Sequence, residues 1–288
     1  VLSVLIVNWN TRDLLRACLQ SLHTFPPQID HEIIVVDNES SDGSSAMVRK
    51  EFPHVVCIEP GSNTGYAGGN NLAFGAARGT LLLTLNPDTE FRDDSLQKSV
   101  DWMKNHPSVG ALGIRQIMPD GSIQKSVRGF PTVLGILGAF TKLDRLFPTG
   151  SLGSYTLREF DYRKTQPAAQ PMGTFLLFRR QALTSIGDAA RPFDEEFPIF
   201  FNEVDLLKRL DDAGWPCWYL AEAEVLHHHG SSTKQVKKSM IWESHRSLVR
   251  YFSKHLRGAA RFMLLPLTAA AFLAAFVRAR GVHAGFRP

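Results

Sequence analysis

The apolar run Leu81-Leu82-Leu83-Thr84-Leu85 stops abruptly at Asn86-Pro87-Asp88. Five residues are too few for a buried helix, and they show no polar alternation. They read as a strand covered on both faces, the kind found in parallel sheets packed between helices. Such sheets bind ligands beyond the carboxyl ends of their strands, and this strand ends there in a carboxylate, Asp88. A lone acid after a strand is commonly a turn residue. A second strand, Glu32-Ile33-Ile34-Val35-Val36, also ends in an acid, Asp37-Asn38. Two such acids on one sheet edge can share a crevice, one reading a base or ribose and the other holding a cation against a diphosphate.

The flanking pattern extends this architecture. Residues 1–7 form a β-rich run closing in Asn8-Trp9-Asn10. Thr11 or Asn10 is placed to cap a helix with Leu15, Cys18, Leu19 and Leu22 at helical spacing, which Pro26-Pro27 stops. A turn over residues 40–44 leads into a helix ending before Pro53, and residues 55–58 form a short third strand. Asn63-Thr64-Gly65-Tyr66-Ala67-Gly68-Gly69-Asn70-Asn71 then opens a helix. Its glycines and helix N-terminal amides favour an anion; a plain Gly-rich turn with an Asn cap fits equally. The order β-α-β-α-β predicts an α/β fold with a doubly wound, mainly parallel sheet flanked by helices.

Beyond Asp88, Pro119-Asp120-Gly121 between Ile117 and Ile123 predicts a hairpin turn. Residues 135–170 follow no firm period and read as a variable loop region with a short amphipathic helix around 134–146. A strand over 173–178 and a helix over 180–186 follow. Asn202-Glu203-Val204-Asp205 starts a helix running to about residue 214, and two short strands, 218–220 and 223–226, precede His227-His228-His229.

Composition sets the bounds. The 288 residues are 44% hydrophobic and 10% aromatic, which fits a globular protein. Cys18, Cys57 and Cys217 are scattered without metal-type spacing; they fit a reducing compartment, and none reads as a nucleophile. The chain opens directly on a strand without a signal-peptide pattern. The missing initiator Met points to a trimmed chain or a fragment. The net charge of +4 hides an asymmetry: from Gly230 to Pro288 there are eleven Lys/Arg against one acid, Glu243, leaving 21 basic and 27 acidic residues in the remainder. The apolar content of this basic tail favours a membrane over nucleic acid as its partner.

Seven segments in order resemble glycosyltransferase family 2, in particular its bacterial rhamnosyltransferase-like group acting on cell-envelope glycans. They are the run 4–10 closing in Asn8-Trp9-Asn10; Val35-Val36-Asp37-Asn38-Glu39-Ser40-Ser41-Asp42-Gly43-Ser44; the 63–71 segment; Leu85-Asn86-Pro87-Asp88; Phe193-Asp194-Glu195-Glu196-Phe197; Asn202-Glu203-Val204-Asp205-Leu206; and His227 with Gly230 and Ser232. The resemblance implies a GT-A fold over residues 1–232, with a nucleotide-sugar-binding half to about residue 90 and an acceptor-binding half after it. It implies that Asn8, Asn10, Asp37, Asn38, Asn63, Gly65, Gly68, Asn70, Asn86 and Asp88 line the donor site. Asp37 would contact the base, and Asp88 with His227 would hold Mg²⁺ or Mn²⁺; His228 and His229 read as incidental. Asn86 replaces the first acid of the Asp-x-Asp motif found in other glycosyltransferases.

The catalytic candidates are Glu203, aligned with the family's general base, and Asp205, which also fits an acid of the first helical turn. The family acid beside the base is replaced by Asn202, and the lower local charge predicts a Glu203 that ionises more easily. These parts predict an inverting, metal-dependent enzyme moving a sugar, rhamnose from dTDP-rhamnose, onto a glycan or polyprenyl-linked acceptor. A UDP- or GDP-sugar donor, or a non-catalytic glycan-binding scaffold, is the alternative. A nucleotidyltransferase would need a basic phosphate loop after the first strand, which Asn8-Trp9-Asn10-Thr11 does not supply. Residues 233–288 predict a membrane-associating tail: a basic amphipathic helix over 240–256, then Phe262 to Val277, sixteen residues without charge, interrupted by Pro266. That stretch is short for a span of about 20 residues. It predicts a tail lying on the cytoplasmic membrane face, with packing on the catalytic domain as the alternative and no role for nucleic acid.

Overall fold

The computed structural model describes residues 1–228 and 237–283. The first half alternates β1 (Leu2–Asn8), α1 (Arg12–Thr24), β2 (His31–Asp37), α2 (Ser44–Glu51), β3 (Val56–Ile58), α3 (Gly65–Ala76) and β4 (Leu81–Leu85). There follow β5 (Thr89–Glu90), α4 (Ser95–Asn105), β6 (Ala111–Ile117), β7 (Val127–Arg128), α5 (Val133–Thr141), α6 (Gly150–Gly153), β8 (Gln166–Pro167), β9 (Gln170–Pro171), β10 (Phe175–Arg179) and α7 (Arg180–Ser185). The chain ends with α8 (Asn202–Asp212), β11 (Cys217–His227), α9 (Lys237–His255) and α10 (Leu264–Ala279).

The central sheet has the order β3-β2-β1-β4-β10-β6-β11-β5. β1 to β4, β6 and β11 share one direction; β10 and β5 run against it. This is the mainly parallel, doubly wound sheet expected. Alternation along β1 explains the two layers: Leu2, Val4 and Ile6 pack with Leu15, Leu19, Met47 and Val100 on one face, and Leu5 and Val7 with Phe74, Leu183 and Leu206 on the other. The chain goes outward from β1 to β2 and β3, then crosses back to β4 on the other side of β1. The carboxyl ends of β1 and β4 therefore flank the switch point at which such sheets bind ligands.

Three expectations are corrected. The two short strands before His227 are one, β11, with a register shift between Leu220 and Glu224. The short helix expected around 134–146 forms, as α5 and a 3₁₀ turn, but it is no part of a variable loop: with α6 it makes a packed helical hairpin over residues 133–155. The tail does not begin where the core ends: Leu248, Tyr251 and Phe252 of α9 share a buried cluster with Ile136, Phe197 and Val204. The Pro119-Asp120-Gly121 turn forms as expected, with Ile117 bridging Ile123 and Gly121 at a φ of 82°. The apolar helical run is also longer than the uncharged stretch: Gly258–Ala279, 22 residues with mean hydropathy 1.9, is long and apolar enough to cross a membrane by length and composition. Pro266 falls in the first turn of α10, where no intrahelical donor is missed.

Candidate active site

At the donor end the strand-end loops are sewn together by side chains. Asn8, fully buried, donates from Nδ2 to Asp37 Oδ1 (2.9 Å) and Ser40 Oγ (3.2 Å), while its Oδ1 accepts from Thr11 Oγ1 (2.7 Å). Thr11 thus precedes α1 without capping it, and Asp42 Oδ2 accepts from Arg12 N instead (2.8 Å). Asn10, at φ 51°, accepts from Ser41 N (2.8 Å) and donates from its own N to Ser40 Oγ (2.9 Å). Asn38 ties β2 to α3: its Nδ2 donates to Gly65 O (2.8 Å) and its Oδ1 accepts from Thr64 N (2.9 Å). Asn8, Asn10 and Asn38 therefore hold the crevice wall in shape. Asp37 Oδ2 keeps one long contact, from Ser40 N at 3.4 Å.

The anion site expected at the start of α3 is corrected. Gly65 N donates to Asn63 Oδ1 (3.0 Å), and Tyr66 N and Ala67 N donate to Pro198 O (2.7 and 3.1 Å). The first amide is spent on its own loop and the other two on the loop before α8. The glycines serve packing: a Cβ on Gly69 would lie 2.8 Å from Val7 Cγ1, so glycine lets α3 lie on β1. Gly68 is buried beside Thr64 in the same helix. Asn70 is buried with Nδ2 on Tyr66 O (2.9 Å), and its Oδ1 has no hydrogen-bond partner among the described residues.

Asp88 and His227, 139 positions apart in the chain, meet because β5 pairs with the end of β11, Thr89 opposite His227, and His228 N donates to Asp88 O (2.9 Å). His227 Nε2 lies 3.4 Å from Asp88 Oδ1, and its Nδ1 is 2.8 Å from Gln124 Oε1. With Nδ1–H donated to Gln124, Nε2 turns a lone pair toward a carboxylate oxygen. Two acceptors facing each other at that distance repel unless a cation or a proton stands between them. The donor set fits a divalent cation held by one carboxylate and completed by substrate phosphates and water. Among the described residues no group of three or more His, Cys, Asp or Glu is gathered for a metal, so the protein alone provides a sparse site. Gln124 escaped the sequence reading; the hairpin turn that returns it to β6, Gln124 N to Gln116 O (2.8 Å), was the available signal. His228 pairs outside with Glu90 (2.6 Å), and His229, Gly230 and Ser232 lie outside the described residues. Asn86 is a turn residue whose N donates to Thr174 O (2.9 Å) and whose O accepts from Thr89 Oγ1 (2.7 Å).

At the other end, Phe201 takes a left-handed φ of 66° and starts α8. Asn202 is fully buried and braces that start, donating to Ile199 O (2.8 Å) and accepting from Glu203 N (2.7 Å). An acid at this position has no proton to donate to Ile199 when ionised. Glu203 packs on Gly173, the residue before the Thr174 that pairs with Asn86, which puts it on the Asp88 edge of the sheet. Burial pushes its carboxyl up to about 7, against the lowering effect of a backbone hydrogen bond. The expectation of an easily ionised Glu203 is therefore corrected: desolvation outweighs the acid missing at position 202. Between the two ends stands Tyr66, whose OH donates to Gly173 O (3.2 Å). Burial, then the charge of Glu203 and, more weakly, that of Asp88, hold its phenol in the neutral form. Tyr66 lay inside a recognised segment, yet nothing in its spacing singled it out.

Asp205 is fully buried and bound by His255 Nε2 (2.8 Å), Arg209 Nε (2.9 Å) and Lys254 Nζ (2.9 Å). Burial alone would raise its pKa; the His255 hydrogen bond, Arg209 and Lys254 override it and bring the value down to about 2. An acid so fully paired is a poor proton acceptor and a strong clamp between α8 and α9. Burial pushes the Cys18 thiol up to about 12, in keeping with an inert cysteine. An open cleft at the opposite edge of the sheet, lined by Ile29, Thr80, Arg180 and Thr184 among others, holds none of these acids.

Known proteins resemble this chain in sequence and in fold. In sequence the chain is 28% identical over 263 residues to the N-acetylglucosaminyl-diphospho-decaprenol L-rhamnosyltransferase of Mycobacterium tuberculosis, covering 86% of this chain and 82% of the relative. In fold it is similar to the mannosyltransferase PcManGT from Pyrobaculum calidifontis, solved with GDP-Man and Mn²⁺, with a TM-score of 0.59 at 19% identity over 96% of this chain and 75% of that one. It is similar also to S. aureus TarS solved with UDP-GlcNAc, with a TM-score of 0.57 at 15% identity over 95% of this chain and 72% of that one. The profile described as Glycosyl transferase family 2 matches residues 3–187, nearly two thirds of the chain. With a GT-A sheet, strand-end acids on its ligand-binding edge and this match, the chain is a glycosyltransferase and belongs to glycosyl transferase family 2, in its rhamnosyltransferase-like group.

Proposed function

We propose that this enzyme moves rhamnose from dTDP-rhamnose, with inversion, onto a hydroxyl of a lipid-linked glycan of the cell envelope. Two observations support the reading: Asp88 faces His227 at 3.4 Å, and Glu203 lies against Gly173 with its carboxyl raised to about 7. Glu203 takes the proton of the acceptor hydroxyl as that oxygen attacks the anomeric carbon; a base poised near neutrality suits this transfer. Asp37 hydrogen-bonds the nucleotide base, and Tyr66, kept protonated, offers a hydrogen bond between the two ends. Asp88 and His227 would hold Mg²⁺ or Mn²⁺, which when bound offsets the charge gathering on the departing diphosphate. Asp205 takes no proton in this reading and fixes the helix that carries Glu203.

The activity of the mycobacterial relative supports the sugar and the lipid-linked acceptor, and the Mn²⁺ bound by the Pyrobaculum enzyme supports the cation. A UDP- or GDP-sugar donor is the second reading, favoured by the donors bound in the solved relatives. The tail, with eleven basic residues and the apolar run Gly258–Ala279, would bring the enzyme to the cytoplasmic membrane surface where such acceptors lie. The deciding experiment offers dTDP-rhamnose and a panel of UDP- and GDP-sugars with a polyprenyl-diphosphate glycan, with and without chelator, and reads the anomeric configuration of the product. Transfer from dTDP-rhamnose alone with inversion supports the proposal. Transfer from another donor, retention, or full activity in chelator removes the corresponding part.

A further inference from the structure

A surface helix of a globular protein turns its large apolar side chains inward; α5 does so only with Val133 and Ile136 and turns three others outward. Its inward positions include Gly135 and Gly138, where a Cβ would lie 2.7 Å from Ser154 Oγ and 2.2 Å from Leu152 O, so the helix sits closely on residues 150–155. Its outward positions are Leu134, Leu137 and Phe140, exposed by 50, 48 and 51%, and beyond the 3₁₀ turn Leu146 and Phe147 are exposed by 74 and 56%. The hairpin that carries them is tightly braced. Thr132 Oγ1 caps α5 by accepting from Gly135 N (3.0 Å), and the buried Asp144 is paired with Arg158 Nε (2.6 Å). The apolar tips are thus held out by a scaffold braced through Thr132 and the Asp144–Arg158 pair. A contiguous apolar face of this kind marks an interaction surface.

Charge identifies the partner. Between residues 131 and 150 the exposed charges are Lys142 and Arg145, and the one acid, Asp144, is buried in its pair with Arg158. An apolar tip with a purely cationic rim is complementary to the headgroups and outer acyl region of an anionic bilayer. α10 is built the same way: Ala271, Ala275 and Ala279 face inward toward Trp242, while Leu265, Leu273 and Val277 are exposed, with Arg278 and Arg280 at its end. Leu264 and Leu267 at the start of α10 pack into the cluster that holds Ile136 of α5 and Val204, the neighbour of Glu203. The two apolar faces therefore grow from one buried cluster beneath the catalytic helix.

We propose that the α5 hairpin is a second membrane-contact element, which together with α10 seats the Glu203 end of the crevice on an anionic lipid surface. The proposal rests on the reading that the enzyme works at a membrane, but the hairpin is tested apart from the tail. Full-length protein is floated with vesicles of phosphatidylcholine alone or mixed with phosphatidylglycerol. The variants are Phe140→Glu/Leu146→Glu and Lys142→Glu/Arg145→Glu in the hairpin and Leu265→Glu/Leu273→Glu in the tail. All six side chains are exposed, and the thermal midpoint and nucleotide affinity of each variant check that folding and the donor site are intact. The apolar hairpin variant is expected to lower vesicle binding by about tenfold or more, the loss of two inserted side chains. The charge-reversal variant is expected to lose binding on the anionic vesicles and not on phosphatidylcholine. Transfer to an acceptor embedded in vesicles should fall in step, while transfer to a short-chain acceptor in solution persists. Hairpin variants that float like the parent, with the tail variant lost, overturn the hairpin and leave the tail as anchor. A tail variant that floats like the parent, with the hairpin variants lost, removes the tail and keeps the hairpin. Unchanged flotation with loss of self-association by sedimentation assigns the face to a second copy of the chain and overturns the proposal.

Discussion

At the donor end, Asn8, Asn10, Asp37, Asn38 and Ser40 hold the strand-end loops by hydrogen bonds between two consecutive strand ends, with Asn8 reaching Asp37 over 29 positions. At the acceptor end two acids two residues apart meet opposite fates. Glu203 is packed without a cationic partner and rises to about 7, whereas Asp205, met by His255 from 50 positions away and by Arg209 and Lys254, falls to about 2. The comparison teaches that one helix turn can carry two acids shifted in opposite directions, and that partners from α9 distinguish them. Their links to folding have opposite signs. Glu203, raised, favours the folded state below its ordinary value of 4.5, and that contribution is lost as pH rises to about 7. Asp205, depressed, stabilises above its ordinary 3.8 and loses that contribution as pH falls toward about 2.

The largest test removes the clamp's partner. Truncation after Ser239 takes away Leu248, Tyr251 and Phe252 from the buried cluster and leaves Asp205 without two of its three side-chain partners, Lys254 and His255. Burial at about 2 kcal/mol per large side chain and about 3–5 kcal/mol for an uncompensated buried charge approach the whole stability of a domain. The truncated chain should lose its cooperative thermal transition, while truncation after Arg257 keeps it; a folded 1–239 fragment would show that α9 is an appendage.

Next come the two ends of the crevice. Asp88→Ala should reduce transfer by about a thousandfold or more and weaken nucleoside-diphosphate binding chiefly when Mn²⁺ is present; near-normal turnover would end its assigned role. Glu203→Gln should cost about two to four orders of magnitude in turnover with donor affinity kept. In the parent, kcat/KM should rise with pH through about 7 and level off above it, because the base must be ionised to accept a proton. A profile flat between pH 6 and 8 would place the base elsewhere.

Smaller effects separate clamp from base. Asp205→Asn should lower stability by about 3 kcal/mol, a fall of about 5 °C in Tm, while leaving turnover of the folded enzyme within about tenfold of the parent. A variant stable but inactive would move proton transfer to Asp205. Gln124→Leu should weaken Mn²⁺ affinity about tenfold by releasing the His227 ring, read by titration of Mn²⁺ against bound nucleotide. Unchanged affinity would detach Gln124 from the cation site.

Apolar runs without alternation, helical spacing and proline stops determined the sheet of β1 to β4, the edge that binds ligand and the acids Asp37 and Asp88 on it. These signals lie within a few residues of one another, so a one-dimensional pattern carries them. The tertiary structure decided what pairing and desolvation decide. Pro198, more than a hundred residues from Tyr66, takes the α3 amides that the glycine-rich segment offered to an anion. Gln124 and β5 bring His227 to Asp88, and α9 turns Asp205 from a candidate base into a buried clamp. The short helix around 134–146 was legible, but its packing as a hairpin was not, because Gly135 and Gly138 admit the backbone of residues 150–155 and no local rule specifies that approach. Periodicity places a side chain on a face; its charge state and partners depend on which distant residues close over it.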